Sequence, residues 1–509
     1  MMFGFMSKLP AFGKNVSGSL APVLGVAAIP LIMAAGVAVD YGNAVSVQAR
    51  LQAAVDAAAL AAGREASLSN SELERIAKDY FHSNFGTPAN AGTPTMEMSV
   101  SASGLKVEGA VTVNNYLTKV AGFDTTRISA SSEVTKEATG LEVVLVFDNT
   151  GSMASQSRLS TLKVAAHDFV EILFGPREVA DTLKIGVVPF SQFVNVGPDK
   201  SNAYWLDTNG ANPLSWKNFE AGGMHNWQAW QAIRNRDWTG CVETRNGNRS
   251  VDDDLPIAGD GNTLFPPAFY PDEPGDDQRR AYFQQGGKGN SYYNSYLDDS
   301  RTNGGLTRRQ EHYRKYSNAR VRSRSRGPDK GCNIQPIQAL TNVKSPVLET
   351  INNMKASGYT HVAEGVGWGL RVISPGEPFT EGVEYSDEDI TKAMVLLTDV
   401  ENTFQTQSNH NRSTYTAYGF LHQTRVGSAN YWTAVSKQNA LLARACNNVQ
   451  NAGIVSYSFA YNVPSKTQRN LIKNCASDPE KYFDPPSNAA LVQNFQQIAD
   501  ELRKLHLSL

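Results

Sequence analysis

Short apolar runs alternate with helical spacings through residues 140–509 and predict an α/β domain. Residues 142–147, 183–190 and 393–398 are mostly apolar and rich in β-branched side chains. Such runs are typical of strands that are buried on both faces of a parallel sheet. Elsewhere the apolar positions follow helical spacing, and residues 491–502 repeat them at intervals of four, three and four residues. This alternation predicts a doubly wound parallel sheet.

The amino-terminal part of the chain contains a long apolar segment. Residues 20–39 carry no charged side chain over 20 positions, and about 20 residues are needed for a helix to cross a hydrocarbon core about 30 Å thick. Lys8 and Lys14 precede the segment and Asp40 follows it, so the amino terminus is expected to stay in the cytoplasm. We predict a single-pass helix in the bacterial inner membrane, with the main domain periplasmic or extracellular. The alternative is a cleaved secretory signal, although helical spacing continues through residues 45–62.

Between this segment and the main domain the pattern changes twice. Ser71 and Glu74 have the spacing of a capping box, which predicts a helix. Residues 96–134 then alternate between apolar and polar side chains, as strands with one wet face do. The predicted organisation is a cytoplasmic tail, transmembrane helix and helical extension at 1–63, a small α+β stalk at 64–138 and the main domain at 139–509.

A long interruption divides the main domain at about residues 196–340. It is too long for a loop in a compact domain, so we interpret it as a self-folding or functional insertion. It holds five of the seven tryptophans of the chain but no long aliphatic run. These rings form either an exposed recognition surface or the small core of an irregular layer.

Composition and motifs argue against nucleic-acid binding and against catalysis. The formal net charge is −2 and 19% of the residues are charged, so no basic surface for nucleic acid is expected. The sequence contains no phosphate-binding GxxxxGKS or GxxxxGKT loop, no GxSxG elbow and no HExxH pair. We therefore expect a binding protein and not an enzyme.

Four cysteines are present, and none has the spacing of a zinc site. An even number of cysteines in a domain outside the inner membrane favours disulfides. Three pairings are possible. We favour Cys241 with Cys332, which bracket part of the insertion, and Cys446 with Cys475, which lie in one late stretch.

Oxygen-bearing side chains follow the first strand of the main domain. Asp148, Thr150 and Ser152 stand at alternate positions directly after the apolar run, and open α/β sheets bind their ligands at the carboxyl ends of strands. One carboxylate and two hydroxyls suit a hard divalent cation. The alternative is that Ser152 or Ser155 only caps the helix that follows.

The sequence Asp-Asn-Thr-Gly-Ser at residues 148–152 resembles the first loop of the metal-ion-dependent adhesion site of von Willebrand factor A domains. Thr360, in a glycine-containing turn, and Asp399, at the end of a second buried run, stand where this family takes ligands from its second and third loops. The family usually has Gly after the last Asp, where this chain has Val400. The resemblance implies a von Willebrand A-type, Rossmann-like fold. We expect His361, beside Thr360, to lie in a solvent-exposed loop.

In this family hydroxyl and carboxylate oxygens hold a divalent cation. The resemblance implies Mg²⁺, or another ion such as Mn²⁺ or Ca²⁺, bound by Asp148, Thr150, Ser152, Thr360 and Asp399. One coordination position stays open for a carboxylate of a protein partner. We therefore expect metal-dependent recognition. One alternative is a structural tether in which the ion only stabilises the loops, and another is a hydrolase that uses the ion.

The amino-terminal segment carries a second resemblance. Residues 18–21, the apolar span, residues 39–42 and residues 50–61 are similar to the amino terminus of tight-adherence (Tad/Flp) pilus-assembly proteins of the TadE/TadG-like group. This resemblance implies an uncleaved helix, with pilus-assembly components as partners. Together the two resemblances predict a membrane-anchored adhesion component or scaffold of pilus assembly.

Overall fold

The chain forms two compact units, one up to Glu137 and one from Ala138 to Ser508. Each unit contains a hydrophobic core. The structure is a computed structural model that describes residues 20–64, 70–101, 104–135, 140–275, 292–299, 302, 304–399 and 401–507.

The first unit packs two helices against a three-stranded sheet. Its elements are α1 Leu20–Arg64, α2 Asn70–Phe85, β1 Thr95–Ser101, β2 Gly104–Asn114 and β3 Thr125–Thr135. The strands pair antiparallel in the order β1-β2-β3. Alternation in the sequence explains the sheet, because Val107 and Val111 of β2 are buried whereas Lys106 and Glu108 are exposed.

The second half of α1 belongs to the core of this unit. Leu51, Val55 and Ala58 of the helix are completely buried, together with Phe81 of α2 and Val107 of β2. The predicted boundary after residue 63 therefore does not separate two compact units. The physical reason is that the helix supplies the apolar side chains that cover the sheet.

The first half of α1 exposes its apolar side chains. Val26, Ile29, Leu31 and Ile32 are each more than half exposed. Pro30 lies inside the helix, which membrane helices tolerate. Within the described residues one helix, Gly25–Arg64, is long and apolar enough to cross a membrane, with a mean hydropathy of 1.6.

The second unit is a sheet with helices on both faces. Its strands are β4 Gly140–Asp148, β5 Leu183–Phe190, β6 Val194–Asn195, β7 Cys241–Val242, β8 Gln338–Thr341, β9 Ile390–Thr398, β10 Val455–Ala460 and β11 Tyr482–Phe483. Its α-helices are α3 Arg158–Phe174, α4 Asn226–Ala232, α5 Leu306–Glu311, α6 Lys344–Asn353, α7 Val362–Ile373, α8 Tyr431–Asn451, α9 Lys466–Lys473 and α10 Asn488–Leu507.

The central strands are parallel and occur in the order β11-β10-β9-β4-β5. The short strands β6 and β8 pair antiparallel with β5, and β7 continues the sheet from β6. The chain leaves β4 to one side for β5 and later returns to the other side for β9. A topological switch point therefore lies at the carboxyl ends of β4 and β9, which is where such sheets bind ligands.

Side chains of β4 alternate between two cores. Val144 and Val146 pack in one core with α7 and α8, whereas Val143, Leu145 and Phe147 pack in the other with α3, α6 and α10. Helices therefore cover both faces of a parallel sheet. This confirms the predicted fold class.

Most tryptophans of the insertion are buried. Trp205, Trp230 and Trp238 are at most 6% exposed and pack in the same core as the sheet, while Trp216 is 40% exposed. Most of these rings therefore serve as core, and this core is shared with the sheet. The end of the insertion also differs from the prediction, because residues 338–340 lie in β8.

The two disulfides are those favoured from the sequence. Cys241 in β7 is bonded to Cys332, across a separation of 91 residues, and Cys446 in α8 is bonded to Cys475, across 29 residues. The first fastens two distant parts of the insertion to each other. The second joins α8 to the segment that follows α9.

Candidate metal centre

The candidate site lies where β4 and β9 end. The two strands are adjacent and parallel, with Phe147 paired to Leu397 in the sheet register. Asp148 is the last residue of β4, and Asp399 directly follows β9. The two carboxylates therefore lie at the same edge of the sheet, and both residues are completely buried.

Hydroxyl groups connect the two carboxylates. The Thr150 amide donates to Asp148 Oδ1 at 2.8 Å, and the Thr398 hydroxyl donates to Asp148 Oδ2 at 2.7 Å. The Ser152 hydroxyl donates to Asp399 Oδ1 at 2.7 Å and lies 2.9 Å from the Thr150 hydroxyl. Four of the five predicted ligand residues are therefore brought together by their own hydrogen bonds.

The loop that carries Thr360 lies against the first loop. The Gly151 amide donates to the Gly358 carbonyl at 3.0 Å, and a second backbone hydrogen bond of 2.7 Å joins neighbouring residues of the same loops. Thr360 is 2% exposed, and its carbonyl accepts a hydrogen bond from the Thr403 amide at 2.9 Å. Thr360 is thus joined to the site through loop backbone.

The two carboxylates lie in different electrostatic surroundings. Burial, and after it the neighbouring Asp399 carboxylate, raises the pKa of Asp148 well above its usual range, although hydrogen bonds from Thr150 and Thr398 oppose this rise. Arg158 donates from Nη1 to Asp399 Oδ2 at 2.7 Å, and its side chain is 15% exposed. The guanidinium therefore contacts one of the two buried carboxylates, that of Asp399.

The donor set suits a hard divalent cation. In the part of the chain that the structure describes, no group of three or more His, Cys, Asp or Glu side chains could hold a metal ion. A cation at this edge would need the hydroxyls as well as the carboxylates, and oxygen donors of both kinds suit Mg²⁺ and Mn²⁺. A divalent ion would also offset the like charges of Asp148 and Asp399.

Ser152 and Ser155 do not cap the following helix. A 3₁₀ segment, Gly151–Ser157, separates β4 from α3, and Ser155 within it has non-helical backbone angles. α3 begins at Arg158, and the serine before it makes no side-chain capping bond. The Ser152 hydroxyl bonds to Asp399 instead, so the capping alternative is wrong.

His361 is buried, and the expectation of a solvent-exposed histidine is wrong. Its ring centroid lies 4.8 Å from that of Phe404 and 5.4 Å from that of Tyr418. Burial lowers the pKa of His361 to about 3, so the imidazole is neutral and packs as a ring. The apolar helical pattern that starts at Val362 was the available signal for this burial.

Sequence reasoning missed three side chains that position the loops. Arg158 and Thr398 bond to the two carboxylates, and Asn402 Oδ1 accepts a hydrogen bond from the first amide of α7, that of Val362, at 2.9 Å. Thr398 directly precedes Asp399, and Arg158 opens the helix after the first loop, so position alone could have singled them out. Val400 lies outside the described residues.

Comparison with protein families concerns the amino-terminal segment. Residues 18–65 match the family described as "Putative Flp pilus-assembly TadE/G-like". This segment is TadE/G-like. The resemblance predicted for residues 18–61 is therefore confirmed, and the TadE/G-like segment coincides with α1. No curated protein matches the chain.

Solved structures that resemble this chain include domains of pilus proteins. The vWF domain of the type V pili tip protein Mfa5 from Porphyromonas gingivalis is 10% identical, over 72% of this chain and 95% of that chain, with a TM-score of 0.33. The pilus adhesin SpaC from Lactobacillus rhamnosus GG is 11% identical, over 82% and 35% of the two chains, with a TM-score of 0.31. The adhesive tip pilin GBS104 from Group B Streptococcus agalactiae is 11% identical, over 72% and 98%, with a TM-score of 0.32. The fold class of this chain follows from the strand order of its own sheet.

Proposed function

We propose that this protein is a membrane-anchored, metal-dependent binding component of Tad/Flp pilus assembly. The observation that carries the proposal is the buried pair Asp148 and Asp399, connected through the hydroxyls of Thr150 and Ser152. Mg²⁺, or Mn²⁺ or Ca²⁺ in its place, would be held by these four side chains and by Thr360.

Recognition would use the coordination position that the protein leaves open. Mg²⁺ usually keeps several waters when it binds to a protein, and a partner carboxylate can replace one of them. The loops are already fixed to each other by backbone hydrogen bonds. Binding of a partner would therefore require little ordering of the site, which favours affinity.

The TadE/G-like segment supports the cellular setting of the proposal. Its apolar half would cross the inner membrane once, with the amino terminus in the cytoplasm because Lys8 and Lys14 precede the span. The metal-binding unit would then face the periplasm or the exterior. Pilus-assembly components are the proposed partners, and one of them would offer the carboxylate.

A structural tether is the second candidate, and one contact favours it. The Arg158 guanidinium already bonds to Asp399, so the loops have a cation of their own. In this case a metal ion would only add stability, and α1 would be the part that acts in assembly.

Titration calorimetry of the detergent-solubilised chain with Mg²⁺ and Mn²⁺ tests the metal site. Asp399→Asn keeps the size of the side chain but removes its charge, so we expect the affinity to fall by more than about tenfold. Asp199→Asn is the matched control, because the Asp199 side chain is 72% exposed and forms an ion pair with its neighbour Lys200. Equal heats for the wild type and Asp399→Asn would reject the site.

Co-purification from membranes separates recognition from tethering. If the ion mediates recognition, a chelator should lower the amount of pilus components that co-purify with the wild-type chain. The Asp399→Asn substitution should lower it as well, while the chain stays folded. Components that remain bound in the presence of the chelator would favour the tether. Asp199→Asn should behave as the wild type does.

A further inference from the structure

The loop between β2 and β3 exposes large apolar side chains. This β2–β3 loop, residues 115–124, contains a 3₁₀ segment, Thr118–Ala121. Val120 is 89% exposed, Phe123 68%, Tyr116 50% and Leu117 48%. A loop that faced only water would gain nothing from such a cluster, and clusters of this kind mark interaction sites.

Asp40 of α1 holds this loop. Its carboxylate accepts hydrogen bonds from the amides of Tyr116, Leu117 and Thr118 at 2.8, 3.0 and 2.7 Å, and from the Thr118 hydroxyl at 2.8 Å. Asp40 is also the first residue after the uncharged apolar span. The loop is therefore fixed at the point where the span ends.

The loop also contacts the span itself. A Cβ atom added at Gly36 would lie 3.0 Å from Cβ of Leu117, so the side chain of Leu117 packs against the helix at this glycine. Gly36 precedes Asp40 by four residues, which is about 6 Å along a helix. Part of the loop thus lies beside the last turn of the apolar span.

The loop has a defined conformation of its own. Gly122 adopts a φ of +88° and donates to the Lys119 carbonyl at 3.0 Å, and the Phe123 amide donates to the Thr118 carbonyl at 3.2 Å. Asn115 Nδ2 donates to the Phe123 carbonyl at 2.9 Å. The apolar side chains are therefore displayed by a built turn.

We propose that the β2–β3 loop inserts Val120 and Phe123 into the headgroup region of the membrane that α1 crosses. The inference rests on the membrane anchor of the proposed function. Amphipathic and aromatic side chains favour this zone of the bilayer, and Tyr116 of the loop and Tyr41 of α1 are both at least half exposed there. The loop then fixes the depth and tilt of α1.

Lipid is the occupant because the exposed surface is continuous with the span. Val37 and Val39, which lie in the last turn before Asp40, are 55% and 50% exposed. In a membrane these side chains meet lipid, and the loop packs beside them at Gly36. The same bilayer therefore covers both surfaces.

Fluorescence of the full chain in vesicles tests this inference. Val120→Cys is labelled with a nitrobenzoxadiazole dye, and the protein is reconstituted into vesicles of phosphatidylethanolamine and phosphatidylglycerol. Val100→Cys is the matched control, because Val100 is a 43% exposed valine of the same sheet. It pairs with Leu105 of β2, about 30 Å along the strand from the β2–β3 loop. Both side chains are exposed, so neither substitution removes core packing.

We expect lipids with a nitroxide in the headgroup region to quench the dye at position 120 several-fold more than the dye at position 100. Equal quenching at the two positions, in a chain that floats with the vesicles, would overturn the inference. A dye at position 120 that is shielded from water in native membranes but not in vesicles would also overturn the inference, since the occupant would then be a protein. A chain that fails to float after an alkaline wash would instead refute the membrane anchor.

Discussion

Asp399 uses its two oxygens for two different partners. Oδ1 accepts a hydrogen bond from the Ser152 hydroxyl, and Oδ2 accepts one from the Arg158 guanidinium. A hydroxyl can share a carboxylate with a bound cation, because its oxygen is also a ligand. A guanidinium has no acceptor, so Arg158 and a cation compete for the same carboxylate.

Arg158→Gln should make the protein depend more strongly on a divalent ion. Without the ion, we expect the free energy of unfolding to fall by about 2–3 kcal/mol, because Asp399 remains buried with its charge no longer paired. With Mg²⁺, the loss should shrink, since ion binding stabilises the folded state. Denaturant unfolding of the solubilised chain, with Mg²⁺ or a chelator, measures both effects. Arg177→Gln, at an exposed position after α3, is the control, and equal stabilisation by Mg²⁺ in both variants would contradict the competition.

Glu364 in α7 makes the stability of the fold depend on pH, independently of the candidate metal centre. Its Oε1 accepts a hydrogen bond from Trp368 Nε1 at 2.9 Å, and burial raises the pKa of Glu364 to about 7 against the opposing effect of Arg371. The folded protein therefore keeps a proton that the unfolded chain has already lost. The corresponding stability is complete at acidic pH and is lost as the pH rises through about 7.

Glu364→Gln should remove this part of the pH dependence. We expect the wild type to lose on the order of 1–3 kcal/mol relative to the variant between about pH 5 and about pH 8, as measured by denaturant unfolding across that range. Glu349→Gln, at an exposed position of α6, controls for the loss of one carboxylate. Parallel profiles for the wild type and Glu364→Gln would show that Glu364 is ionised in the folded state throughout.

At the scale of elements, α1 serves two environments in one continuous helix. Its first half is exposed and apolar, and its second half lies against β2 and α2. The close approach depends on Gly109 of β2. A Cβ atom at Gly109 would lie 2.8 Å from Val55, 3.1 Å from Phe81 and 3.2 Å from Leu51, so the strand accepts the helix only where it lacks a side chain.

Gly109→Val should therefore loosen the first unit. We expect a destabilisation of about 1–3 kcal/mol, because the added side chain overpacks the core. Hydrogen exchange of the β2 amides in detergent should become faster. Glu108→Val is the control, because the neighbouring Glu108 lies on the exposed face of β2 and its replacement should leave exchange in the core unchanged. Similar exchange rates in the two variants would argue against a tight contact between Gly109 and α1.

Periodicity predicted the long elements because each must direct its apolar side chains to a core. The strands β4 and β9 extend no more than three residues beyond their predicted bounds. β6 and β7 could not be predicted, since each has two residues and only the folded insertion pairs them. Contacts between distant residues were equally hard to predict at the candidate metal centre. The resemblance identified Asp148 and Asp399, but the contact of Arg158 with Asp399 spans 241 residues, and no local pattern encodes it.

At the scale of the whole molecule, the sheet and the insertion share a core that lies within the second unit. Trp230 and Trp238 of the insertion pack in the same cluster as Val144 of β4 and Leu442 of α8. The insertion is therefore not an appended layer, and its removal would uncover one face of the sheet. The apolar side chains around Leu51 and Phe81 form a separate cluster in the first unit.

Because each unit has its own core, residues 138–508 should fold when produced without the first unit. We expect this fragment to bind Mg²⁺ with an affinity within about twofold of that of the full chain, since all five proposed ligand residues and their hydrogen-bond partners lie in it. Calorimetry on both proteins measures the two affinities. Asp399→Asn in the fragment should weaken binding by more than about tenfold, as in the full chain. A fragment that is folded but binds the ion much more weakly would mean that the first unit contributes to ion binding. The proposed metal-binding and anchoring roles would then be coupled.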